Sequence, residues 1–479
     1  MKLNEDLCYR AIKSRDVRFD GQFFTAVLTT GIYCRPVCPA VTPKRKNVVF
    51  YKCAAAAEQA GFRPCRRCHP ETAPGTAAWQ GTAAVVSRAM RYINEGFLDE
   101  AGVEELALHV GLGGRHLRRL FREHLGTTPI AVAQTRRLHF ARNLLDTSNL
   151  SMTEIAMASG FGSLRRFNTL FKKAFAAPPS QFKKKDKRRG APSFVYHLPY
   201  RQPYDWTALL KFLAPRAIPG VEAVDLVNGV YSRTVELAGK PGVIKVSGPS
   251  NNKSHLTLLM ELPSLEGAIG VVAKIKRMFD CTACPSEISK QLVSDEFLAP
   301  LIKAKPGLRL PGAWDPFELT IRAILGQQIS VKAATTHAGN LVKLFGRKLP
   351  DELCISGLTH IFPRAMELNS VDLTELGLPK NRLATIAGLV DSVASGAFTL
   401  DAPNGADEFA ERFLTLFGIG PWTAQYVAMR AFSEPDAFPH SDLGLRHATG
   451  LTSKALLAAA EKWRPWRSYA ALYLWSSLS

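Results

Sequence analysis

The sequence contains no run of about 20 consecutive apolar residues, so it predicts no transmembrane helix. Residues 1–6 also lack the apolar core of a signal peptide, and the protein is therefore expected to be cytoplasmic. Acidic residues are few beside basic ones: 41 Asp and Glu stand against 61 Lys and Arg, a formal net charge of +20. This excess favours a polyanionic partner. Nucleic acid is the main hypothesis, and no membrane partner is expected because no apolar segment accompanies the charge.

Cysteine is also scarce, with nine residues in a chain of 479. The odd count and the missing export signal argue against a disulfide framework and favour metal or thiol chemistry in a reducing compartment. The length exceeds what one hydrophobic core supports and predicts three or four domains of about 100–200 residues each.

Four of the cysteines form two close pairs, Cys34 with Cys38 and Cys65 with Cys68. Spacings of Cys-x3-Cys and Cys-x2-Cys are typical of a tetrahedral Zn²⁺ site with four thiolate ligands. Arginines flank both pairs, Arg67 among them. A structural zinc site needs no positive surroundings, whereas a thiolate that reacts beside a DNA phosphate would be favoured by them. Two interpretations are open: a zinc ion that only stabilises the fold, and a reactive zinc-thiolate site.

The remaining cysteines give weaker signals. Cys8 and Cys53 lie outside the paired spacings, and we expect them to be small buried residues rather than ligands. Cys281 and Cys284 form a lone Cys-x2-Cys without a second pair or a nearby histidine, which is weak evidence for metal binding.

Two segments rich in linker residues divide the chain, at 71–76 and at 183–192. The second is a basic run, which is either a solvated linker or a phosphate contact. Together with the helical and strand periodicities, these breaks predict a multidomain α+β protein. The predicted domains are a small zinc-bound α/β domain at 1–77, a helical domain at 78–187, an α+β sheet domain at 188–294 and an all-α domain at 295–479.

The helical domain contains a weak internal repeat of two helix-turn-helix units, at 103–121 and 152–171. In the second helix of each unit the apolar residues fall on one face and leave basic side chains outward. The outward residues suited to contacts with base edges are Arg115, Arg118, Arg165, Arg166 and Asn168. A helical bundle with a basic solvent face is the alternative. This tandem resembles the DNA-binding domain of the AraC family over about 100 residues.

The first domain closely resembles the amino-terminal phosphotriester-repair domain of the Ada family. The matching text is Thr29–Pro36, Asn47-Val48 and Ala60–Cys68. The resemblance implies that Cys34 irreversibly accepts a methyl group from a methyl phosphotriester in DNA, with the other three paired cysteines as its zinc co-ligands. One departure is Val41, where the best-known member of the family has an arginine near the DNA.

The resemblance also implies a regulatory role. Methylation of Cys34 removes one negative charge that faces the phosphate backbone, so affinity for DNA should rise. Coupled to the AraC-type domain, this change would switch the protein from repair to transcriptional activation at promoter DNA. RNA polymerase is the partner that an activator implies, and a location at the nucleoid follows from DNA binding.

The last domain carries a glycine hairpin in the segment Leu414–Tyr426. Gly418 and Gly420 permit a tight turn whose free N–H groups stand at the start of a helix, an arrangement that binds phosphate. With the downstream segment Phe438–Leu445, this text resembles the helix-hairpin-helix DNA glycosylases, and among them the AlkA alkylbase glycosylases. Further matching text is Pro203–Trp206, Pro306–Gly312, Ala323–Gln327 and Trp463–Tyr469.

This resemblance implies that Asp442 is the catalytic carboxylate, at the start of a helix that favours its ionised form. An ordinary helix N-cap is the alternative. The aromatic residues at the family's base-pocket positions are Trp422, Tyr426 and Trp466. Such rings select cationic bases such as 3-methyladenine by stacking and cation–π attraction.

Three further properties follow from the same resemblance. Trp422 stands where related glycosylase/lyases carry a lysine that forms a Schiff base, which predicts a monofunctional enzyme of the DNA-3-methyladenine glycosylase II type. Gln328 aligns with the wedge residue that fills the gap left by a flipped nucleotide. The carbonyls of the hairpin residues Leu414, Leu416 and Ile419 are expected to bind a monovalent cation.

The sequence lacks the text Pro-Cys-His-Arg, so we expect no O6-alkylguanine methyltransferase domain. The predicted function is therefore alkylation repair joined to regulation: methyl transfer at the zinc site, promoter binding by the AraC-type domain, and hydrolysis of alkylated bases from double-stranded DNA. One alternative is a transcriptional activator whose glycosylase half only binds DNA. Another is a glycosylase for oxidised bases, which the missing lysine and missing iron–sulfur cysteines disfavour.

Overall fold

The computed structural model describes residues 3–70, 73, 84–183, 193–237, 239–249, 254–262, 264, 267–355, 357–402 and 404–478. Both predicted linkers fall largely outside these residues, as do the predicted boundaries at 77/78 and 187/188. No helix in the described part of the chain is long and apolar enough to cross a membrane.

The amino-terminal unit is a small sheet with two helices. Its elements are α1 (Glu5–Ser14), β1 (Phe24–Val27), β2 (Ile32–Cys34), β3 (Val48–Tyr51), α2 (Ala54–Gln59) and β4 (Arg63–Pro64). The strand order is β3-β1-β2-β4; β4 runs parallel to β2, and the other pairs are antiparallel. Two small apolar clusters form its core, one around Phe23 and one around Phe24 and Tyr33. Domains with so small a core are commonly stabilised by a bound metal ion.

Seven helices follow in the described part of residues 84–183. They are α3 (Ala84–Glu95), α4 (Phe97–Glu100), α5 (Val103–His109), α6 (Gly114–Leu125), α7 (Pro129–Thr147), α8 (Met152–Ala158) and α9 (Leu164–Phe175). The pairs α5/α6 and α8/α9 are the two predicted helix-turn-helix units, and the long α7 joins them. Helix α8 begins with a capping box between Ser151 and Glu154.

The next unit is an antiparallel sheet with helices. Its elements are β5 (Ser193–Pro199), α10 (Trp206–Leu213), β6 (Glu222–Asp225), β7 (Val230–Leu237), β8 (Lys240–Ser247), β9 (His255–Glu261) and α11 (Ala268–Met278). The strand order is β5-β9-β8-β7-β6. The strands alternate buried and partly exposed residues, as β9 does throughout.

The carboxy-terminal unit is helical, as predicted, with one added short hairpin. Its elements are α12 (Pro285–Leu292), α13 (Leu298–Ala304), α14 (Pro316–Leu325), α15 (Val331–Phe345), β10 (Arg347–Lys348), β11 (His360–Ile361), α16 (Ala365–Leu368), α17 (Lys380–Ala394), α18 (Ala406–Phe413), α19 (Pro421–Ala431), α20 (Leu443–Thr449), α21 (Ser453–Ala459) and α22 (Arg467–Ser476). The predicted glycine hairpin joins α18 to α19, and the multidomain α+β class is confirmed.

The units are packed on one another rather than strung along the chain. The second helix-turn-helix unit and the five-stranded sheet share one apolar core. In that core Phe140 of α7 stacks on Tyr196 of β5, with ring centroids 5.4 Å apart. Two elements that the sequence assigns to separate domains therefore bury the same surface.

A buried polar cluster joins the amino-terminal unit to α7. Glu58 of α2 accepts hydrogen bonds from the Tyr33 hydroxyl at 2.8 Å and the Thr135 hydroxyl at 2.5 Å, and it pairs with His139 at 3.0 Å. Burial alone would raise the pKa of Glu58, but these partners, His139 foremost, hold it below its usual value. A buried carboxylate thus stays ionised because its neighbours satisfy it.

A second polar contact joins the first helix-turn-helix unit to the carboxy-terminal unit. Asp401 accepts a hydrogen bond from the Tyr92 hydroxyl at 2.5 Å and lies 2.7 Å from His109 Nε2. Arg91 donates to the carbonyl of Phe432 at 2.8 Å. Helices α3 and α5 are thereby fixed against the loop that leads into α18, and α3 is also fixed against the end of α19.

Candidate functional site

The four paired cysteines converge at one point, and their Sγ atoms all lie within 4.8 Å of one another. Four sulfurs at about 2.3 Å from one zinc ion would be about 3.8 Å apart, so the set fits a tetrahedral site with four cysteine ligands. Strand β2 ends at Cys34 and Cys65 follows β4, so the pairing of these two strands brings the two cysteine pairs together. Because the donors are four thiolates and no carboxylate, they suit Zn²⁺. The predicted ligand set is the one that the fold assembles.

Backbone groups and an ion pair surround the thiolates. The N–H of Arg35 points to Cys68 Sγ and that of Arg67 to Cys65 Sγ, both at 3.4 Å. Arg35 is held by Asp20, whose Oδ1 accepts from its Nε at 2.8 Å. Arg35 therefore braces the site, whereas Arg67 is exposed and free to meet a phosphate.

The two pairs differ in exposure. Cys65 and Cys68 are buried, whereas Cys34 and Cys38 are half-buried. Cys34 is therefore within reach of a substrate at the protein surface. Val41, at the predicted departure from the family pattern, is 91% exposed.

Of the five other cysteines, Cys354 is exposed, whereas Cys8, Cys53, Cys281 and Cys284 are buried, where inert thiols are expected. Burial raises the pKa of both Cys8 and Cys53 to about 11. It raises the pKa of Cys281 to about 12, and Cys284 accepts a hydrogen bond from Gln22 at 3.1 Å. In the described residues no third metal-binding side chain joins Cys281 and Cys284.

Most of the predicted base-reading residues face solvent on α6 and α9. Arg115, Arg165, Arg166 and Asn168 are exposed. Arg118 differs, because its Nη1 lies 2.8 Å from Glu104 Oε1 and its side chain is held across the helix pair. Four of the five are thus available to DNA in this arrangement, and the fifth is engaged within the protein.

The carboxy-terminal half contains a cavity of about 340 Å³ beside the predicted catalytic carboxylate. It is bounded by α10, α14, α15, α19 and α22 and by Asp442, which directly precedes α20, so both the sheet unit and the helical unit contribute to it. Its aromatic and charged lining residues are Phe212, Arg216, Arg322, Trp422, Tyr426, Asp442 and Trp475. This volume is within the range of small-molecule binding sites.

Asp442 is the N-cap of α20, and N–H donors meet both of its oxygens. Oδ1 accepts from the backbone N–H of Leu445 at 3.0 Å and from Trp475 Nε1 at 2.9 Å. Oδ2 accepts from Trp422 Nε1 at 2.8 Å. This arrangement suits a carboxylate rather than a carboxylic acid. An ordinary N-cap needs only the first of these bonds, so the two indole donors distinguish this aspartate from one.

The aromatic wall of the cavity differs from the prediction in one residue. Trp422 and Tyr426 stack with ring centroids 5.0 Å apart and planes at 10°, and Trp475 meets Tyr426 edge-on at 6.5 Å. Trp466 does not line the cavity; it is buried and packs edge-to-face on Tyr469. Trp475 therefore takes the place predicted for Trp466, because α22 packs along α20 and brings its last turn to Asp442.

The hairpin between α18 and α19 depends on its glycines. Gly418 has a φ of +74°, and a Cβ there would lie 1.9 Å from the Thr385 hydroxyl oxygen of α17. Gly420 has open space beside it, as access to a phosphate requires. Gln327 braces the turn by donating to the carbonyl of Gly418 at 3.1 Å.

Gln328 lies in the chain between Gly326 and Ile329, which both line the cavity. It is exposed and has a φ of +57°, a left-handed conformation that is uncommon for a residue other than glycine. An exposed residue with a strained backbone conformation beside a cavity is a recurring feature of functional sites.

Comparisons with known proteins cover every part of the chain. Three family models match: the metal binding domain of Ada over residues 7–71, a helix-turn-helix domain over 106–185 and the AlkA N-terminal domain over 195–315. A probable bifunctional transcriptional activator/DNA repair enzyme AlkA from Mycobacterium tuberculosis is 40% identical over 482 residues, which cover 98% of this chain and 96% of that protein.

Two further relatives match the carboxy-terminal half. DNA-3-methyladenine glycosylase 2 of Escherichia coli is 34% identical over 289 residues, 59% of this chain and 96% of that protein. The solved structure of a 3-methyladenine DNA-glycosylase from Archaeoglobus fulgidus covers 58% of this chain and 97% of its own, with a TM-score of 0.50 and 23% identity. The second of these shows a shared fold.

Proposed function

The chain belongs to the family of bifunctional transcriptional activator/DNA repair enzymes in which an Ada-type metal-binding domain, a helix-turn-helix domain and an AlkA-type glycosylase are fused, and we propose that its two chemical sites are Asp442 and Cys34. The glycosylase part hydrolyses the N-glycosidic bond of alkylated bases such as 3-methyladenine. The observation that carries this proposal is an aspartate held by two indole donors at the edge of an aromatic cavity.

The glycosylase mechanism follows from the position of Asp442. A flipped base stacks against Trp422 and Tyr426, and the bond between its nitrogen and C1′ breaks with the electron pair going to the base. The sugar is left with oxocarbenium character, which the adjacent carboxylate stabilises. Water then adds to C1′ and loses its proton to Asp442. With a tryptophan at 422 the cavity offers no amine there to attack the sugar, so we propose a monofunctional hydrolase.

Two other features of this half support contact with duplex DNA. The open N–H groups around Gly420 would bind a phosphate, and Gln328 beside the cavity would fill the space of the flipped nucleotide. Carbonyls of the hairpin, those of Leu414, Leu416 and Ile419, would bind a monovalent cation that braces the turn.

At the other site, Cys34 attacks the methyl carbon of a methyl phosphotriester. A sulfur–carbon bond forms while the carbon–oxygen bond breaks, and its electron pair stays on the phosphate oxygen, restoring an ordinary phosphodiester. Zn²⁺ bound by Cys34, Cys38, Cys65 and Cys68 would keep the sulfurs deprotonated near neutral pH. The product is a thioether, so each chain acts once. Arg67 lies exposed beside the thiolates, where it would contact the DNA backbone.

Loss of one negative charge at methylated Cys34 would strengthen binding to DNA and so link repair to transcription. The exposed Arg115, Arg165, Arg166 and Asn168 would read promoter DNA, with Arg118 joining them only after leaving Glu104. RNA polymerase would be the partner of the activated form, and the protein would reside on the nucleoid.

The glycosylase proposal is tested by base release from duplex DNA that carries 3-methyladenine. We expect Asp442→Asn to slow single-turnover release by a factor of about 10² or more, since one charged stabilising group is lost. Asp372→Asn is the matched control, because Asp372 also caps a helical turn of the same unit but is exposed. Release that survives in Asp442→Asn would exclude the proposed role, and an unaltered chain that binds but releases no base would favour the activator alternative.

The methyl-transfer proposal is tested by mass spectrometry after incubation with methyl phosphotriester DNA. We expect one methyl group per chain, on Cys34. Cys354 is an internal control, because this exposed thiol would react first in any unspecific alkylation. A methyl group on Cys38, Cys65 or Cys68 instead of Cys34 would contradict the assignment.

A further inference from the structure

Two arginines line the base cavity in addition to its aromatic wall. Arg216 follows α10; its Nη1 donates to the carbonyl of Phe212 at 2.9 Å, and its guanidinium lies 3.9 Å from the centroid of the Phe212 ring. Arg322 of α14 donates from Nε to the carbonyl of Arg216 at 2.9 Å and from Nη2 to the Thr335 hydroxyl at 2.8 Å. Arg322 therefore fixes the backbone at Arg216, while the Arg216 side chain is held at the cavity wall by Phe212.

These positive charges have no paired carboxylate in the described part of the chain. A third arginine, Arg430, lies behind Tyr426 and donates to its hydroxyl at 2.6 Å. The hydrogen bonds of Arg216, Arg322 and Arg430 all go to backbone carbonyls or neutral hydroxyl groups. Burial lowers the pKa of Arg216 and of Arg322, which means that their charges are incompletely compensated.

The same three arginines also affect the pKa of Tyr426. Burial alone would raise the pKa of its hydroxyl, yet Arg430, Arg216 and Arg322 together lower it. The wall beside Tyr426 is therefore electropositive, while the single carboxylate of the cavity, Asp442, lies at the sugar end. A cationic alkylated base would stack on the rings but would meet like charges at this wall.

The charge of the leaving base decides whether an electropositive wall accelerates its departure. A base that is cationic in DNA leaves as a neutral molecule and needs no help from a positive group. A base that is neutral in DNA leaves with the electron pair of the broken bond and so carries a negative charge. Donors aimed at a charge that develops only in the transition state accelerate that step selectively.

We infer that Arg216 is a catalytic and specificity-determining residue for neutral bases, whose departing negative charge its guanidinium stabilises. The ligand class is a neutral purine with a hydrogen-bond acceptor, such as a carbonyl oxygen, on the edge that reaches the cavity wall. This inference rests on the proposed glycosylase function. It assigns Arg216 a part that neither the aromatic rings nor Asp442 supplies.

The step balances without any further reactant. The bond between C1′ and the base nitrogen breaks, and its electron pair goes to the base, which accepts a hydrogen bond from Arg216 as an anion. Water adds to C1′ and gives its proton to Asp442. Asp442 then returns that proton to solvent and the released base anion takes one up, so the products are a neutral base and an abasic sugar.

The inference is tested with two duplexes, one carrying neutral hypoxanthine and one carrying cationic 7-methylguanine. Single-turnover release is measured for the unaltered full-length chain, for Arg216→Met and Arg216→Gln, and for Arg364→Gln as a control at an exposed arginine. We expect Arg216→Met to slow release of hypoxanthine by about 10²-fold, as loss of one such donor does elsewhere. Release of 7-methylguanine should become faster, because a like charge has been removed. Arg216→Gln keeps an N–H donor without the charge, so it should release hypoxanthine at a rate between those of Arg216→Met and the unaltered chain.

The outcomes separate the inference from the function on which it rests. Equal slowing of both duplexes by Arg216→Met would mean a structural role and would overturn the inference, as would an unchanged rate on hypoxanthine. Release of 7-methylguanine but never of hypoxanthine by the unaltered chain would also overturn it, while leaving the glycosylase proposal intact. Release of neither base by the unaltered chain would contradict the glycosylase proposal itself.

Discussion

Asp442 is held from two sides by indole groups that come from different helices. Trp422 belongs to the first turn of α19 and Trp475 to the last turns of α22, and each donates its Nε1–H to a different carboxylate oxygen. A carboxylate fixed in this way cannot rotate away from the cavity, and in the proposed mechanism it would already be in position when the sugar becomes cationic. Such preorganisation lowers the barrier because no reorientation accompanies the reaction.

The second indole gives a prediction that separates Trp475 from Trp466. Trp475→Phe keeps a ring in the cavity but removes the donor to Asp442 Oδ1, and a hydrogen bond to a charged group is worth about 1.5–3 kcal/mol. We expect single-turnover release of 3-methyladenine to fall by about 10-fold or more. Trp466→Phe, the matched control at the residue that packs on Tyr469, should change the rate by less than about 3-fold. A larger loss of rate in Trp466→Phe would show that Trp466 belongs to the site after all.

Residues close in the chain were predictable, and residues brought together by packing were not. The four cysteines lie in two short segments, so local spacing reveals them. Local spacing predicts Asp442 only as a helix N-cap, and its catalytic role is implied by the resemblance of the surrounding text. Trp475 and Arg216 are separated from Asp442 by helices whose packing no local pattern encodes. The resemblance to the glycosylase family assigned Trp466 to the pocket because Trp466 lies in the matching segment Trp463–Tyr469.

A buried carboxylate provides a prediction about pH. Burial raises the pKa of Asp280 to about 6, although Leu310 N–H and the Tyr469 hydroxyl both donate to its Oδ2 and Arg309 is near. The folded pKa lies above the unfolded value of about 3.9. This group therefore adds stability that is complete below about pH 4 and is lost as the pH rises through about 6.

Asp280→Asn should remove that pH dependence. An amide oxygen can accept both hydrogen bonds, and asparagine tolerates the left-handed backbone of this position, where φ is 48°. Between pH 5 and pH 8 we expect the variant to gain about 1 kcal/mol relative to the unaltered protein. The difference in urea unfolding midpoints at the two pH values measures this gain. A constant difference would show that Asp280 is ionised in the folded protein at both values.

At the level of elements, the hairpin between α18 and α19 is constrained by the packing of one of its glycines. Gly418 combines a positive φ with contact to Thr385 of α17, so two independent constraints exclude a side chain there. The sequence predicted the turn but not its neighbour, because α17 lies some distance back along the chain. The same holds for the short strands β10 and β11, whose pairing adds a hairpin to a unit predicted to be all-α.

Gly418→Ala should disrupt the hairpin. The added Cβ would overlap the Thr385 hydroxyl and demand a left-handed alanine, which together should cost at least about 2 kcal/mol. We expect a lower melting temperature for the glycosylase half and weaker binding to undamaged duplex DNA. Gly388→Ala is the control, since this glycine lies within α17 with open space beside it and alanine favours the helix. Equal effects of the two substitutions would refute the packing argument.

At the scale of the whole molecule, the described units form a continuous assembly through two polar contacts and one shared apolar core. Glu58 joins the amino-terminal unit to α7, and Asp401 joins the first helix-turn-helix unit to the carboxy-terminal unit. The shared apolar core joins α7 and α9 to the five-stranded sheet. Sequence patterns divided the chain into four domains because each segment changes its periodicity. They could not reveal that two of these segments bury the same surface.

The shared core predicts coupled stability between segments that the sequence separates. Phe140 of α7 is 3% exposed and packs on Phe194 and Tyr196 of β5, so Phe140→Ala should leave a cavity between two units. A change of this kind typically costs about 3–5 kcal/mol. Hydrogen exchange in the full-length chain should therefore accelerate both in α7 to α9 and in β5 and β9.

Phe121→Ala is the matched control for this experiment. Phe121 is fully buried in α6, but it belongs to the separate core of the first helix-turn-helix unit. Its loss should accelerate exchange in α3 to α6 and leave β5 and β9 protected. If Phe140→Ala also left the sheet protected, the two units would be stable independently and the shared core would contribute little. If Phe140→Ala accelerated exchange in α7 to α9 and in the sheet alike, the five-stranded sheet would be a structural part of the second helix-turn-helix unit as well.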